Sequence, residues 1–261
     1  MHLDVCLDAV YDDALPMEQK IPRAAAAGFT HVEFWLPEGK DATAVREACA
    51  RSGVTLNNIV VNPPDGNPGG APVKADDLGL YLARVEQVIA YAQSVNCSKA
   101  ITCTGNLQPE LSRRRMRANL ENALGRAAEI AARHNFTLLL ESLNTHVDHA
   151  GYYLDSSHEG AEIVRAIGSP HLRLLYDVYH MQIMEGNLLA NIERHLDVIG
   201  HFHSAGVPGR HELFGCEINY PEIIFRLQAW GYTGCFGLEY FPAMADHDAS
   251  LREVHAYLLG A

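Results

Sequence analysis

Four polar residues close four short apolar runs: Glu141 ends Phe136–Glu141, Asp177 ends Leu172–Asp177, His203 ends Val198–His203 and Glu239 ends Cys235–Glu239. The steps between them are 36, 26 and 36 residues, each long enough for one strand, one helix and two loops. Buried strands seldom end on a carboxylate or an imidazole that lacks a partner. Three carboxylates and one imidazole brought to one point repel unless a cation sits among them. The pattern therefore points to a divalent-metal site at the mouth of a parallel barrel. Oxygen-rich ligation with one imidazole suits Mn²⁺, Mg²⁺ or Co²⁺ better than a thiolate-seeking metal.

Neighbouring residues extend the set. His180 follows Asp177 by three residues; it can reach a substrate oxygen beside the metal, or merely bond within its loop. Arg210 follows a Pro208-Gly209 turn just beyond His203. A planar guanidinium there can hold a carboxylate or adjacent hydroxyls, with a rim salt bridge to Glu212 or Glu217 as the plain alternative. Glu33, near the end of His31–Trp35, and Asn144 are weaker candidates. His146, His149 and His158 share no register and read as surface residues.

The elements that must position these groups are visible as a repeat. Gly28-Phe-Thr30, Gly53-Val-Thr55, Asn135-Phe-Thr137 and Gly231-Tyr-Thr233 each follow a helix-like stretch. Gly and Asn tolerate the left-handed conformation that ends a helix, and the apolar residue and Thr suit the first pleats of a strand. Strands are predicted near 3–8, 31–35, 55–61, 98–104, 136–141, 172–177, 198–205 and 234–240. Helices are predicted near 17–27, 41–52, 76–95, 111–134, 158–167, 187–196, 220–230 and 248–259. Asn219-Tyr-Pro-Glu222, Asp41 and Ser156 read as helix starts. Eight alternating units describe an α/β chain folded as one (β/α)8 TIM barrel, a single domain over residues 1–261. A doubly wound sheet is the lesser alternative, since no Gly-rich phosphate turn follows the first strand. The four strand ends then fall on staves five to eight, side by side around half of the face where barrel sites are built. The Gly/Pro-rich stretch 62–72 follows the third strand, so it either covers the site or serves as a solvated connector.

Composition narrows the partners. The chain has 261 residues, 48% of them hydrophobic, enough for one large core. The excess of 32 Asp+Glu over 20 Lys+Arg, a formal −12, argues against a nucleic-acid surface and an anionic-membrane binder. A small-molecule sugar or keto-acid substrate remains, because one local Arg can serve a carboxylate. Six scattered cysteines without a CxxC pair read as reduced thiols of a cytoplasmic protein. No leader and no run of 18 uninterrupted apolar residues is present, so neither a signal peptide nor a membrane span is expected. A homo-oligomer is compatible with the sequence, which fixes no oligomeric state.

Several segments carry a resemblance: Glu141-Ser-Leu-Asn144, Tyr176–Leu188, Gly200-His-Phe-His203, Val207-Pro-Gly-Arg-His-Glu212, Glu217-Ile-Asn-Tyr220 and Gly237-Leu-Glu-Tyr240. Together they resemble the hydroxypyruvate isomerase family, within the xylose-isomerase-like TIM barrels that also include ketose 3-epimerases. The likeness spans nearly the whole chain and is densest from 136 to 242. It implies metal ligation by Glu141, Asp177, His203 and Glu239, proton transfer by Glu141 and Glu239, and substrate contact by His180 and Arg210. Two positions depart from the pattern. The isomerases usually carry Gln where this chain has His203, as the epimerases do not, and tend to carry Asp where it has Gly206.

The chemistry expected is proton abstraction beside a carbonyl through an enediolate, aided by a divalent metal. Returning the proton to the neighbouring carbon isomerises a small unphosphorylated keto acid or ketose. Returning it to the opposite face of the original carbon epimerises a ketose. A metal-assisted dehydratase is a further alternative, and a non-catalytic sugar-binding barrel the least favoured one.

Overall fold

The computed structural model describes residues 1–11 and 14–260. The strands are β1 (His2–Cys6), β2 (His31–Glu33), β3 (Thr55–Leu56), β4 (Ile59–Val60), β5 (Lys99–Thr102), β6 (Thr137–Glu141), β7 (Leu172–Asp177), β8 (Ile199–Ser204) and β9 (Cys235–Leu238). All pairings are parallel, in the order β3-β2-β1-β9-β8-β7-β6-β5-β4. β3 pairs only with β2 and β4 only with β5. The two are halves of the predicted third strand, interrupted at Asn57-Asn58, so the nine strands make the eight staves of a barrel. The interruption is chemical in origin. Both asparagines are buried and spend their side chains on polar groups inside the barrel rather than continuing an apolar stave.

The helices are α1 (Leu7–Val10), α2 (Met17–Ala26), α3 (Ala42–Ser52), α4 (Leu78–Ser94), α5 (Arg113–Arg133), α6 (Ser157–Ile167), α7 (Val178–Met184), α8 (Leu188–His195), α9 (Tyr220–Ala229) and α10 (His247–Leu259). Eight of them meet the predicted ranges within two residues at each end. The short α1 and α7 were not expected; each begins directly at the end of a strand, where helical periodicity has no length in which to show. Asp41, Ser156 and Asn219 cap their helices, accepting from the backbone N–H groups of Ala44, Glu159 and Glu222. No helix among the described residues is long and apolar enough to cross a membrane. All six cysteines are free.

Period-two alternation sorts each strand into an outer face packed on helices and an inner face lining the barrel. One side of the interior is apolar, built from Val60, Ile101, Leu139 and Leu175. The other is polar, with Asp4, Glu33, Asn58, His201 and His203 all buried. Room for two adjacent imidazoles comes from Gly237: a Cβ there would lie 2.9 Å from His203 and 3.0 Å from His201.

Above β8 the chain makes a tight return. Gly206 N–H donates to the His211 carbonyl (2.8 Å) and Arg210 N–H donates to the Gly206 carbonyl (2.8 Å). A side chain on Gly206 would run into the Glu212 carbonyl oxygen. This close return leaves no room for a side chain at position 206. Gly206→Asp should therefore destabilise the fold by about 1–3 kcal/mol, as overpacking does, read as a fall in Tm. An unchanged Tm would show that the return does not need glycine.

Candidate active site

β6 and β7 end on Glu141 and Asp177, His203 stands one residue before the end of β8, and Glu239 directly follows β9. Pairing sets Asp177 opposite His203 and His203 opposite Gly237, so the four side chains leave adjacent staves at similar heights. Each contributes a ligand atom, and these atoms all lie within 4.8 Å of one another. All four residues are buried. The structure thus assembles the cluster that the strand ends suggested.

Each member is oriented by a different partner. Asp177 caps α7, its Oδ1 accepting from His180 N–H at 3.0 Å, which leaves Oδ2 for the cluster. Glu239 accepts from Trp35 Nε1 at 2.8 Å and from the Arg210 guanidinium. The strand carrying Glu141 is tied to the next loop by Tyr152, whose hydroxyl donates to the Glu141 carbonyl at 3.0 Å. His203 Nε2 lies 2.7 Å from Glu33 Oε1, while its Nδ1 faces Glu141 Oε1 at 3.4 Å and Glu239 Oε2 at 3.6 Å. Both ring nitrogens are buried without a well-aligned hydrogen-bond partner.

Arg210 is not a rim ion pair with Glu212 or Glu217. Glu212 instead accepts from Ala243 N–H, Met244 N–H and the Ser250 hydroxyl, and Glu217 accepts from Gln182. The guanidinium sits over the rings of Tyr179 (5.3 Å) and Phe241 (5.5 Å), with Nε buried and unpartnered. His180 is fixed in one tautomer. Asn144 backbone N–H donates to its Nδ1 at 3.2 Å, and the Asn144 amide is 2.7 Å from the same atom. Nδ1 is therefore the acceptor and Nε2 carries the hydrogen, buried and without a hydrogen-bond partner. Asn144 orients His180 rather than joining the cluster.

A cavity of about 350 Å³ opens over Glu141, Glu239 and Arg210. Its opposite wall is apolar and includes Trp35, Leu36, Val60, Ile101 and Phe241. Pro63 and Pro64, the start of the Gly/Pro-rich stretch, form part of that wall. The stretch is more than a solvated connector: Asn62 donates to the carbonyls of Gly70 and Cys103, both at 3.0 Å, and Ala71 is fully buried. His149, expected on the surface, also lines the cavity and stacks near His180 with ring centroids 5.3 Å apart. His146 and His158 are exposed, as expected. Trp35 and His201 were missed. The signal for Trp35 was present in the sequence, since it stands two residues beyond Glu33 at the mouth of the second stave.

The electrostatics show a site short of positive charge. Burial pushes the Asp177 carboxyl up to about 7. Burial also raises Glu141, with the nearby His203 only partly offsetting it. For Glu239 burial acts the same way, but the charge of Arg210 and then of His203 outweighs it and holds the carboxyl below its usual range. Burial opposes protonation of His203, yet Glu33 and Glu239 lift it well above an ordinary imidazole. Protons thus gather where a cation would otherwise neutralise the cluster. The donor set fits a divalent ion: three carboxylates and an imidazole nitrogen that faces two of them.

This has a consequence for stability. A group whose pKa is higher folded than unfolded gives stability that disappears as pH rises through the folded value. Asp177 and His203 both belong to this class. The buried histidines with lowered values, such as His180 and His201, are already neutral in both states above about pH 7.5. With chelator present, Tm should fall from pH 7 to pH 8.5, and the increase in Tm given by Mn²⁺ should grow over the same interval. A gap between the two curves that is constant with pH would contradict this account of the cluster.

Comparison with known proteins gives the same fold. The model of the xylose isomerase-like TIM barrel family matches residues 21–258. The 2-oxo-tetronate isomerase of Cupriavidus necator is 32% identical over 238 residues, covering 90% of this chain and 90% of that protein. The hydroxypyruvate isomerase of Escherichia coli is 28% identical over 240 residues, covering 91% and 92%. A crystal structure from Brucella melitensis, described as an AP endonuclease of family 2, matches with a TM-score of 0.89 at 27% identity, covering 98% and 99%. L-ribulose 3-epimerase shares the fold, with a TM-score of 0.84 at 22% identity and coverage of 99% and 95%. The family match over most of the chain, with relatives at this level of identity along nearly their full length, establishes that the chain belongs to the xylose isomerase-like TIM barrel family.

Proposed function

We propose that this protein is a divalent-cation-dependent isomerase of a short, unphosphorylated 2-keto acid of the hydroxypyruvate or 2-oxo-tetronate kind. The reaction moves the carbonyl to the neighbouring carbon. The observation that carries the reading is the buried four-residue cluster with a guanidinium against one of its carboxylates. The isomerase names of the relatives at 28% and 32% identity support it.

Glu141, Asp177, His203 and Glu239 are the residues that would hold the ion. Bound there, a divalent cation would draw electron density from the substrate's ketone and adjacent hydroxyl oxygens, lowering the cost of an enediolate. The remaining work falls to side chains. Glu239, kept ionised by Arg210, is suited to take the proton from the hydroxyl-bearing carbon. Glu141, on the neighbouring side of the same cavity, is the second carboxylate placed to move a proton. The proton returns to the former carbonyl carbon and the hydroxyl hydrogen passes to the former ketone oxygen, so nothing is gained or lost. Neutral His180 offers its Nε2–H to a substrate oxygen, and the free N–H groups of Arg210 offer a site for the carboxylate. Trp35, Leu36 and Phe241 keep water from the reacting carbons.

Ketose 3-epimerisation is the second reading. It is favoured by His203 in place of Gln and by two carboxylates facing one pocket, which a proton transfer between opposite faces needs. A nuclease reading has little support: the formal charge is −12, and the cluster is buried under a small cavity.

Incubation with hydroxypyruvate or 2-oxo-tetronate in D₂O with Mn²⁺ should place deuterium on the former carbonyl carbon and shift the carbonyl by one position. Ketoses labelled at C3, with both keto acids inert, would establish the epimerase instead. Chelation should abolish turnover, and full activity of verified metal-free protein would remove the cation from the mechanism. Glu141→Gln and Glu239→Gln should each cost several orders of magnitude in kcat. Arg210→Ala should raise KM for keto acids about 10- to 100-fold, the range for a hydrogen bond to a charged group. An equal rise for neutral ketoses would refute a carboxylate clamp.

A further inference from the structure

The polar side of the barrel interior contains a carboxylate that the reaction does not touch. Glu33 ends β2 and is 1% exposed. Its Oε1 lies 2.7 Å from His203 Nε2, and its Oε2 lies 3.0 Å from His201 Nε2 and accepts from the Asn58 amide. One carboxylate therefore spans the barrel interior to hold two imidazoles of β8. Asn58 reaches it from the break between β3 and β4, and Gly237 leaves the space that both rings occupy.

A carboxylate oxygen 2.7 Å from a ring nitrogen favours a hydrogen on that nitrogen. For a neutral imidazole this places the hydrogen on Nε2 and leaves a lone pair on Nδ1. Neither ring nitrogen of His203, nor Glu33 Oε1, has a well-aligned hydrogen bond within the protein; Nε2 is the nitrogen in close contact with Glu33, and Nδ1 is the one that faces Glu141 and Glu239. We infer that Glu33 is a positioning residue that fixes the Nε2–H tautomer and ring orientation of His203, so that Nδ1 donates to a divalent cation in the cluster. The inference rests on the cation site proposed above. An imidazole, unlike a carboxylate, must have its tautomer selected before it can serve a cation. The negative charge of Glu33 further makes the imidazole a stronger donor, as outer carboxylates do for metal-bound histidines.

The test is a thermodynamic cycle of cation binding, read by competition with a metal-sensitive dye at pH 8 using Mn²⁺, without substrate. Glu33→Gln should weaken Mn²⁺ binding about 10- to 100-fold, the range for loss of such a partner, and Glu33→Asp should show a smaller loss in the same direction. In a His203→Ala background, Glu33→Gln should cost little more, because the ring it acts through is gone. With ¹⁵N-labelled histidine and Mg²⁺ bound, the His203 Nε2–H resonance should move upfield in Glu33→Gln as its hydrogen bond to a carboxylate is lost. Should Glu33→Gln fail to fold, Glu33→Asp carries the same cycle. Undiminished Mn²⁺ affinity in the Glu33 variants, or losses that add fully to that of His203→Ala, would overturn the role of Glu33 alone. Absence of Mn²⁺ binding by the wild-type protein would overturn the cation site and this inference together.

Discussion

Like charge held out of water is the constraint around which this barrel is arranged. Glu33, Glu141, Asp177 and Glu239 are all buried within one region of the interior. At a few ångströms, in a medium less polarisable than water, such groups repel by several kcal/mol per pair. The chain answers with unequal compensation: His203 stands between Glu33 and the two glutamates, and Arg210 makes its direct ion pair with Glu239. Asp177 has no ion pair as close as that of Glu239, and burial raises its carboxyl despite the charges of His203 and Arg210. A structural ion-pair network would close its charges pairwise. This one leaves three carboxylates and one imidazole sharing a centre.

The division of the interior follows from the same constraint. A barrel of this type is ordinarily filled by branched aliphatic side chains, and Val60, Ile101, Leu139 and Leu175 fill half of this one in that manner. The other half could not be aliphatic, because the outer side of His203 needs an acceptor and that acceptor needs further donors. Asn58 and His201 meet that need. Below them Asp4 accepts from Asn57 at 2.6 Å, and Asn57 in turn accepts from Lys99 at 2.9 Å. The broken third stave is thus a consequence of the polar column: two asparagines leave the sheet ladder where their amides are needed inside.

The sequence showed the strand ends and the helices because both are local. An apolar run of five residues with a terminal carboxylate is readable without a partner in view, and a cap such as Asp41 lies three residues from the N–H it accepts. Eight staves and the half-rim cluster therefore followed from spacing alone. What was hidden is long-range. Glu33 and His201 are separated by 168 residues, and Trp35 and Glu239 by 204. No periodicity connects them; only closure of the barrel does. His149 was hidden for a different reason, since its loop carries no regular register and its place in the cavity wall depends on where Tyr152 anchors that loop. The break at Asn57-Asn58 was also illegible, since an uninterrupted strand satisfies the hydrophobic pattern of 55–61 equally well.

Arg210 joins the rim to the chemistry. It adopts a left-handed backbone conformation, with φ of 60°, at the end of the return that begins with Gly206. A residue with a Cβ pays roughly 1 kcal/mol or more to sit there. The conformation persists because the surrounding bonds fix it: Arg210 N–H donates to Gly206, and its carbonyl accepts from Phe241 N–H at 2.8 Å. Those bonds tie the loop after β8 to the segment after β9, so the guanidinium and Glu239 are placed by one rigid unit. Stacking on Tyr179 and Phe241 removes the remaining freedom of the side chain. The result is a fixed positive charge set directly against Glu239 at the edge of the cluster.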